Sequence, residues 1–242
     1  MREPRDRNPI GGDMRVASRL VAAGFACVTL AAASFTALPP AQGQDGETRT
    51  AKADIDGDGE PDDVVLKEAS ANNQTLTFRL ASGGSAEMTF EGDTSMPLQP
   101  PRPVDLNGDK QDEIVVAESV GANTLTLNVW AYDVTGTKIF PVTTTNGGRL
   151  RLFEGGGIAA VTGYGCLPLN PGSSGRDLIG VKALIDDPAS DTATYTGTRT
   201  TYHVTPDGKA RTVNRVNVTS VPRDDPALTT DPAACIPAQG QS

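Results

Sequence analysis

Aromatic residues make up only 5% of the 242 residues, and the chain holds one tryptophan and one histidine. With 26 Gly and 18 Pro and so few large aromatics, the composition favours short strands and tight turns over a helical bundle. The catalytic signatures are missing as well. The one histidine, His203, sits in the alternating stretch TTYHV, and no GxSxG elbow or HExxH helix appears, so the familiar hydrolytic triads and zinc proteases have no place to form. The Gly-rich strings at 147–148 and 155–157 separate strand candidates and open no helix, which leaves a phosphate cradle without its scaffold. Positive charge is in deficit: 21 Lys and Arg stand against 30 Asp and Glu, for a formal charge of −9. Such a chain repels nucleic-acid backbones and anionic lipid headgroups, and cations become its better partners. The length suffices for a real core, and collagen, a polytopic membrane protein and a fully disordered tail are excluded.

The N-terminal segment carries Arg2, Arg5, Arg7, Arg15 and Arg19, then an apolar run from Leu20 to Leu38, then Pro39, Pro40 and the small-residue pattern Ala41, Gln42, Gly43. This order predicts a secretory signal peptide over residues 1–43, with Met14 as an alternative start. The run approaches spanning length, so a retained anchor is the competing reading. Its Ala, Ser and Thr content and Gly24 favour cleavage, after which no stable membrane span is expected. Lipidation at Cys27 lacks the usual sequence context. Cleavage would remove five Arg and only three acids, leaving a chain more acidic still. It would also leave two cysteines, Cys166 and Cys235, 69 residues apart. In an exported chain two such thiols are expected to pair, stapling the C-terminal tail to the body.

The strongest signal begins at Asp54, DIDGDGEPDDVVL, and returns at Asp105 as DLNGDKQDEIVVA. Oxygen-bearing side chains fall at loop positions 1, 3 and 5 (Asp54, Asp56, Asp58; Asp105, Asn107, Asp109), and an acid follows at position 9 (Asp62; Glu113). Calcium wants six to eight oxygens, and alternate residues of a tight loop can aim theirs at one centre. Glu60 and Gln111 at position 7 would add backbone carbonyls. Gly57 and Gly108 permit the sharp turn and Gly59 a second one, where the other loop has Lys110. The first site is therefore expected to bind more tightly. Position 12 is Val65 or Val116 rather than the bidentate Glu of helix-loop-helix calcium proteins, and β-branched runs follow each loop. The alternative is a pair of ion-free Asp-Gly turns, against which stands the mutual repulsion of so many acids within nine residues.

These two strings resemble the FG-GAP/VCBS repeat, whose calcium loop joins two strands of a β-propeller blade, as in integrin α-subunit heads and many secreted bacterial proteins. The resemblance covers the loops and the strand after each. It implies ligands at Asp54, Asp56, Asp58, Glu60 and Asp62, then at Asp105, Asn107, Asp109, Gln111 and Glu113. Lys110 and the short chain depart from the family pattern.

The loops lie 51 residues apart, a blade-like period. Strands are expected at TLTFRL and AEMTF in the first unit, at TLTLNVWAY and KIF in the second, and at ATYTGTRTTYHV and ARTVNRVNV in a third. The third has Leu169, Pro171 and Ser173 at its ligand positions, so no metal is expected there. The predicted fold is all-β: a propeller-like array of about three small antiparallel sheets, either open or closed by terminal strands. Its repeat domain spans residues 44–220, in units of about 44–104, 105–165 and 166–220. Residues 97–103 read as a linker and 221–242 as an extended tail tethered by Cys235. Trp130 and Tyr132 lie on the strand face opposite Leu125, Leu127 and Val129, placed for inter-sheet packing or for a ligand platform. The functional expectation is a secreted or cell-surface, calcium-binding β module that binds a protein or carbohydrate or supports an assembly, without catalysis of its own. The alternative is a small secreted hydrolase with structural calcium and a carboxylate pair.

Overall fold

The structure is a computed structural model and describes residues 46–70, 72–93, 95–167 and 176–236. The expected signal peptide, Cys27, the third unit's Leu169, Pro171 and Ser173, and residues 237–242 lie outside the described residues.

Four strands make the first sheet: β1 (Thr48–Ala53), β2 (Asp62–Ser70), β3 (Asn73–Arg79) and β4 (Ser85–Glu91), in the order β1-β2-β3-β4. Each pair is antiparallel, as a meander with short turns requires. Alternation places Val64 and Leu66 of β2, Leu76 and Phe78 of β3, and Ala86 and Phe90 of β4 on one buried face. The pairings Val64↔Phe78 and Leu66↔Leu76 keep that face continuous.

The second sheet holds β5 (Arg102–Val104), β6 (Glu113–Val120), β7 (Thr124–Asp133), β8 (Lys138–Pro141), β9 (Thr143–Thr144), β10 (Arg151–Gly155), β11 (Ala160–Cys166), β12 (Asp177–Ile185), β13 (Thr194–Val204) and β14 (Lys209–Pro222). Its order is β5-β6-β7-β10-β11-β12-β13-β14-β9, with β8 also on β7. All pairs are antiparallel except β14 with β9. A 3-10 turn, Pro232–Cys235, follows, capped by the Asp231 side chain.

Among the described residues the expected three sheets are thus two. The second and third units fuse because β10 pairs with β7 from Arg151↔Asn128 to Gly155↔Thr124, and β11 pairs with β12 from Ala160↔Leu184 to Cys166↔Leu178. The glycines at 155–157, with φ of 103°, 108° and 57°, turn the chain from β10 into β11 and do not end a sheet. The expected linker at 97–103 likewise ends in β5, which pairs with β6 from Arg102 to Val104. Pro103 is tolerated there because β5 is an edge strand.

Strands β6 and β7 are buried on both faces. Ile114, Val116, Trp130 and Tyr132 join the first sheet's core, while Val115, Ala117, Leu127, Val129 and Ala131 join a second core with Leu152, Tyr164, Leu178 and Val204. The Trp130 ring lies 4.7 Å from that of Phe90, and the Tyr132 ring 6.1 Å from that of Phe78. Of the two uses open to these aromatics, the structure shows inter-sheet packing. Cys166 and Cys235 form a disulfide with a Cα–Cα distance of 4.9 Å.

Candidate metal centre

Each aspartate loop connects an edge strand to its neighbour. Position 1 follows the last residue of β1 or β5, and position 9 is the first residue of β2 or β6, paired as Ala53↔Asp62 and Val104↔Glu113. The internal hydrogen bonds repeat at positions 3 and 5 and differ at position 1. Asp54 Oδ2 accepts from Gly59 N–H at 3.0 Å, Asp56 Oδ1 from Asp58 N–H at 3.3 Å and Asp58 Oδ1 from Glu60 N–H at 2.7 Å. In the second loop Asp105 Oδ1 accepts from Gly108 N–H at 2.5 Å, Asn107 Oδ1 from Asp109 N–H at 2.9 Å and Asp109 Oδ1 from Gln111 N–H at 2.8 Å. The backbone turns left-handed at Gly57 and Gly59 (φ 76° and 89°) and at Gly108 and Lys110 (φ 79° and 75°). Lys110 therefore takes a conformation that a glycine would adopt without strain. Ile55 and Leu106 at position 2 are fully buried and pin each loop to its sheet.

Asp54, Asp56 and Asp58 bring ligand oxygens within 4.8 Å of one another, a group able to hold a metal ion. Asp54 is the most constrained of the three. Burial raises its carboxyl above the usual range, hydrogen bonds from Gly59 and Gly57 oppose this, and the charges of Asp58 and Asp56 add to it. Among the described residues its buried Oδ1 has no hydrogen-bond partner, an acceptor of the kind a hard cation satisfies. Glu60, expected to offer its backbone carbonyl, is exposed in the same loop, with its N–H donating to Asp58 Oδ1.

The position 9 acids, expected as ligands, also hold the loops through backbone hydrogen bonds. Asp62 is buried, and its two oxygens accept from Ile55 N–H at 2.8 Å and Ala81 N–H at 2.7 Å. Glu113 is buried too, accepting from Leu106 N–H at 2.9 Å and from Asn107 Nδ2 at 3.2 Å. Desolvation, reinforced by Asp109 and Asp105, pushes its carboxyl up to about 8. The Asn107 amide also donates to Asp109 Oδ2 at 2.8 Å. Where the first loop has carboxylates alone at positions 1, 3 and 5, the second has an amide bridging two of its acids. Burial raises Asp105 as well, with Arg176 drawing it back.

The second loop is also covered. Asp105 N–H donates to Cys235 O at 3.1 Å, Arg176 N–H to Asn107 O at 2.9 Å, and Arg176 Nη1 to Ala234 O at 3.3 Å. The disulfide thus fastens the C-terminal segment against this loop, while residues 57–60 of the first loop are exposed.

Asp112 is the residue that the position 1-3-5-7-9 pattern passes over. It lies at position 8, where the first loop has Pro61, and it joins the two loops: its N–H donates to Asp54 O at 2.7 Å and its Oδ2 accepts from Asp54 N–H at 2.9 Å. Desolvation, opposed by the Asp54 hydrogen bond and aided by the charges of Asp105, Asp54 and Asp109, pushes its carboxyl up to about 6. Because that lies above the ordinary 3.8, the folded state holds the proton more tightly, and this contribution to stability is lost as pH rises through about 6. At pH 8, Asp112→Asn keeps an acceptor and removes a buried charge. It is expected to be neutral or stabilising, whereas Asp112→Ala orphans the Asp54 N–H and is expected to cost about 1–3 kcal/mol. Urea denaturation of the two variants checks this, and equal stability of Asp112→Ala and the parent would show that this pair does not join the loops.

His203 lies on β13 in register with Asp177 of β12, with Nδ1 3.3 Å from Asp177 Oδ1. Compared with known protein families, characterised proteins and solved structures, the chain matches none.

Proposed function

We propose that the protein is an extracytoplasmic, calcium-binding β module that acts by binding a protein or carbohydrate partner or by supporting an assembly, with no chemistry of its own. The observation that carries this reading is the Asp54, Asp56 and Asp58 group, whose oxygens converge on a tight exposed loop and include the orphaned Asp54 Oδ1. Calcium fits better than magnesium because an irregular loop of carboxylates and carbonyls meets its flexible coordination more easily than a strict octahedron. The disulfide supports an oxidising compartment, and among the described residues no helix is long and apolar enough to cross a membrane. The likeness of both loops to FG-GAP/VCBS repeats supports the same cation, although the two sheets are not an array of equal blades.

Thermal melting in chelator, calcium and magnesium tests the proposal. A ligand bound only by the folded state at a hundredfold excess over Kd adds about 2.7 kcal/mol, which corresponds to about 5–10 °C for a domain of this size. Calcium is expected to give this shift and magnesium little of it. Asp56→Ala is expected to remove more of the shift than Asn107→Ala, since the second loop already compensates its acids with an amide. An unchanged melting temperature on adding millimolar calcium to chelated protein would overturn the calcium assignment. Turnover of a polysaccharide or ester panel, lost on an acid-to-amide change outside both loops, would overturn the absence of chemistry.

A further inference from the structure

We propose that the outer edge of β14 takes up an extended acidic segment of a partner polypeptide as an added strand. On its inner side β14 pairs with β13, from Val204↔Ala210 to Thr194↔Pro222. On its outer side, among the described strands, it meets only β9, through Lys209↔Thr143 and Ala210↔Thr144. Beyond Ala210 that side of the strand has no described neighbour, so a row of main-chain donors and acceptors is left open, a ready template for a further strand. Residues 211–217 are exposed without a break, a run of seven on a strand whose alternation would ordinarily bury every second side chain. Val213 and Val216 are 45% and 44% exposed, so apolar contacts flank the open edge.

Charge selects the occupant. The strand carries Lys209, Arg211 and Arg215 and no acid, in a chain whose formal charge is −9. Two copies of β14 edge to edge would bring six cations together, which disfavours self-pairing and favours an acidic partner. A polypeptide is chosen over other polyanions because strand spacing, with donors and acceptors alternating along an edge, is matched by another extended backbone.

The register is also bounded. Irregularities fall between Thr201 and Tyr202 and between Tyr195 and Gly197, and between them Asn214, Arg215, Val216, Asn217 and Val218 pair regularly with β13. Bulges of this kind stop an edge from propagating indefinitely. A short window for one added strand remains.

The test uses the full chain and a labelled ten-residue peptide alternating Val and Glu. Hydrogen exchange across 211–218 is expected to slow about tenfold or more at saturating peptide, and anisotropy titration gives the affinity. Arg211→Glu with Arg215→Glu is expected to weaken binding about tenfold, since each exposed charge contributes modestly. These side chains are solvent-exposed, and an unchanged melting temperature of the double variant shows that its fold is intact. A peptide alternating Val and Lys should not bind, and neither should the Val/Glu peptide with proline at every third residue, which keeps the charge and loses the strand. No slowing of exchange with the Val/Glu peptide, equal binding of the proline peptide, or protection by a DNA duplex and not by peptide would each overturn the proposal.

Discussion

Replacing both Cys166 and Cys235 by alanine is expected to lower the stability of the folded chain by about 4 kcal/mol, the chain-entropy value for so long a loop. The bridge spans 69 residues, and in a domain of this size the loss corresponds to a fall in melting temperature of about 8–16 °C. Alanine is preferred to serine because Cys235 is fully buried and Cys166 nearly so, and a buried hydroxyl without a partner would add a cost of its own. The loss should be unevenly distributed. The segment that the bridge fastens supplies the Cys235 carbonyl to Asp105 N–H and the Ala234 carbonyl to Arg176, which in turn donates its N–H to Asn107. Amide exchange at Asp105 should therefore accelerate more than at Gly59, whose N–H is held inside the first loop by Asp54. Urea denaturation and residue-resolved exchange measure both effects. A change of under about 1 kcal/mol, or equal acceleration in the two loops, would mean that the tail adds little to the second loop.

What was legible in the sequence follows from which forces are local. The aspartate loops could be read because Asp and Asn side chains capture backbone N–H groups two or three residues on, and Gly57, Gly59 and Gly108 permit the left-handed turns. Strands β2, β3, β4, β6, β7, β8, β13 and β14 could be read because β-branched and apolar residues announce them. The pairing of Cys166 with Cys235 followed from compartment and count. The number of sheets could not be read, because the joining of β7 to β10 is a long-range ladder and nothing in either strand's pattern names its partner.

Strand β11 shows the difficulty clearly. Its AVTGYGC carries Gly163 and Gly165, which lower strand propensity. A Cβ at Gly163 would meet Thr230 Oγ1 at 2.0 Å, and one at Gly165 would meet the Asp231 carbonyl oxygen at 2.7 Å. The strand is glycine-rich because the C-terminal segment packs against it, a tertiary demand that local reading sees only as a weak strand. Asp62, Glu113 and Asp112 were hidden for a related reason. As loop acids they look like ligands or bystanders, and what the string does not show is that two accept the backbone N–H of position 2 in their own loops and the third reaches into the neighbouring loop. Carboxylate spacing in a string does not say which lone pairs the backbone will claim.

Trp130→Ala is expected to cost about 3–5 kcal/mol, the range for deleting a large aromatic from a packed core. Trp130 is only 1% exposed. Its ring packs against Phe90 of the first sheet and lies beneath the Arg149 guanidinium, 5.5 Å from the ring centroid, so it is a principal bond between the sheets. The rest of that layer, Ile114, Val116, Tyr132 and Ile139 against Leu76, Phe78 and Phe90, is aliphatic and aromatic and cannot collapse fully into a cavity of indole size. Trp130→Phe separates packing from polarity. Among the described residues the buried indole Nε1 has no hydrogen-bond partner, so phenylalanine gives up volume but also removes an unsatisfied donor, and its cost should be under about 1.5 kcal/mol. Because Trp130 is the only tryptophan, the parent's fluorescence reports the opening of this inter-sheet layer directly, and its red shift in urea should coincide with the loss of β-sheet circular dichroism if both sheets unfold together. Urea denaturation of both variants settles the assignment. A cost for Trp130→Phe equal to that of Trp130→Ala would show that a benzene ring at this position does not replace the indole's packing between the two sheets.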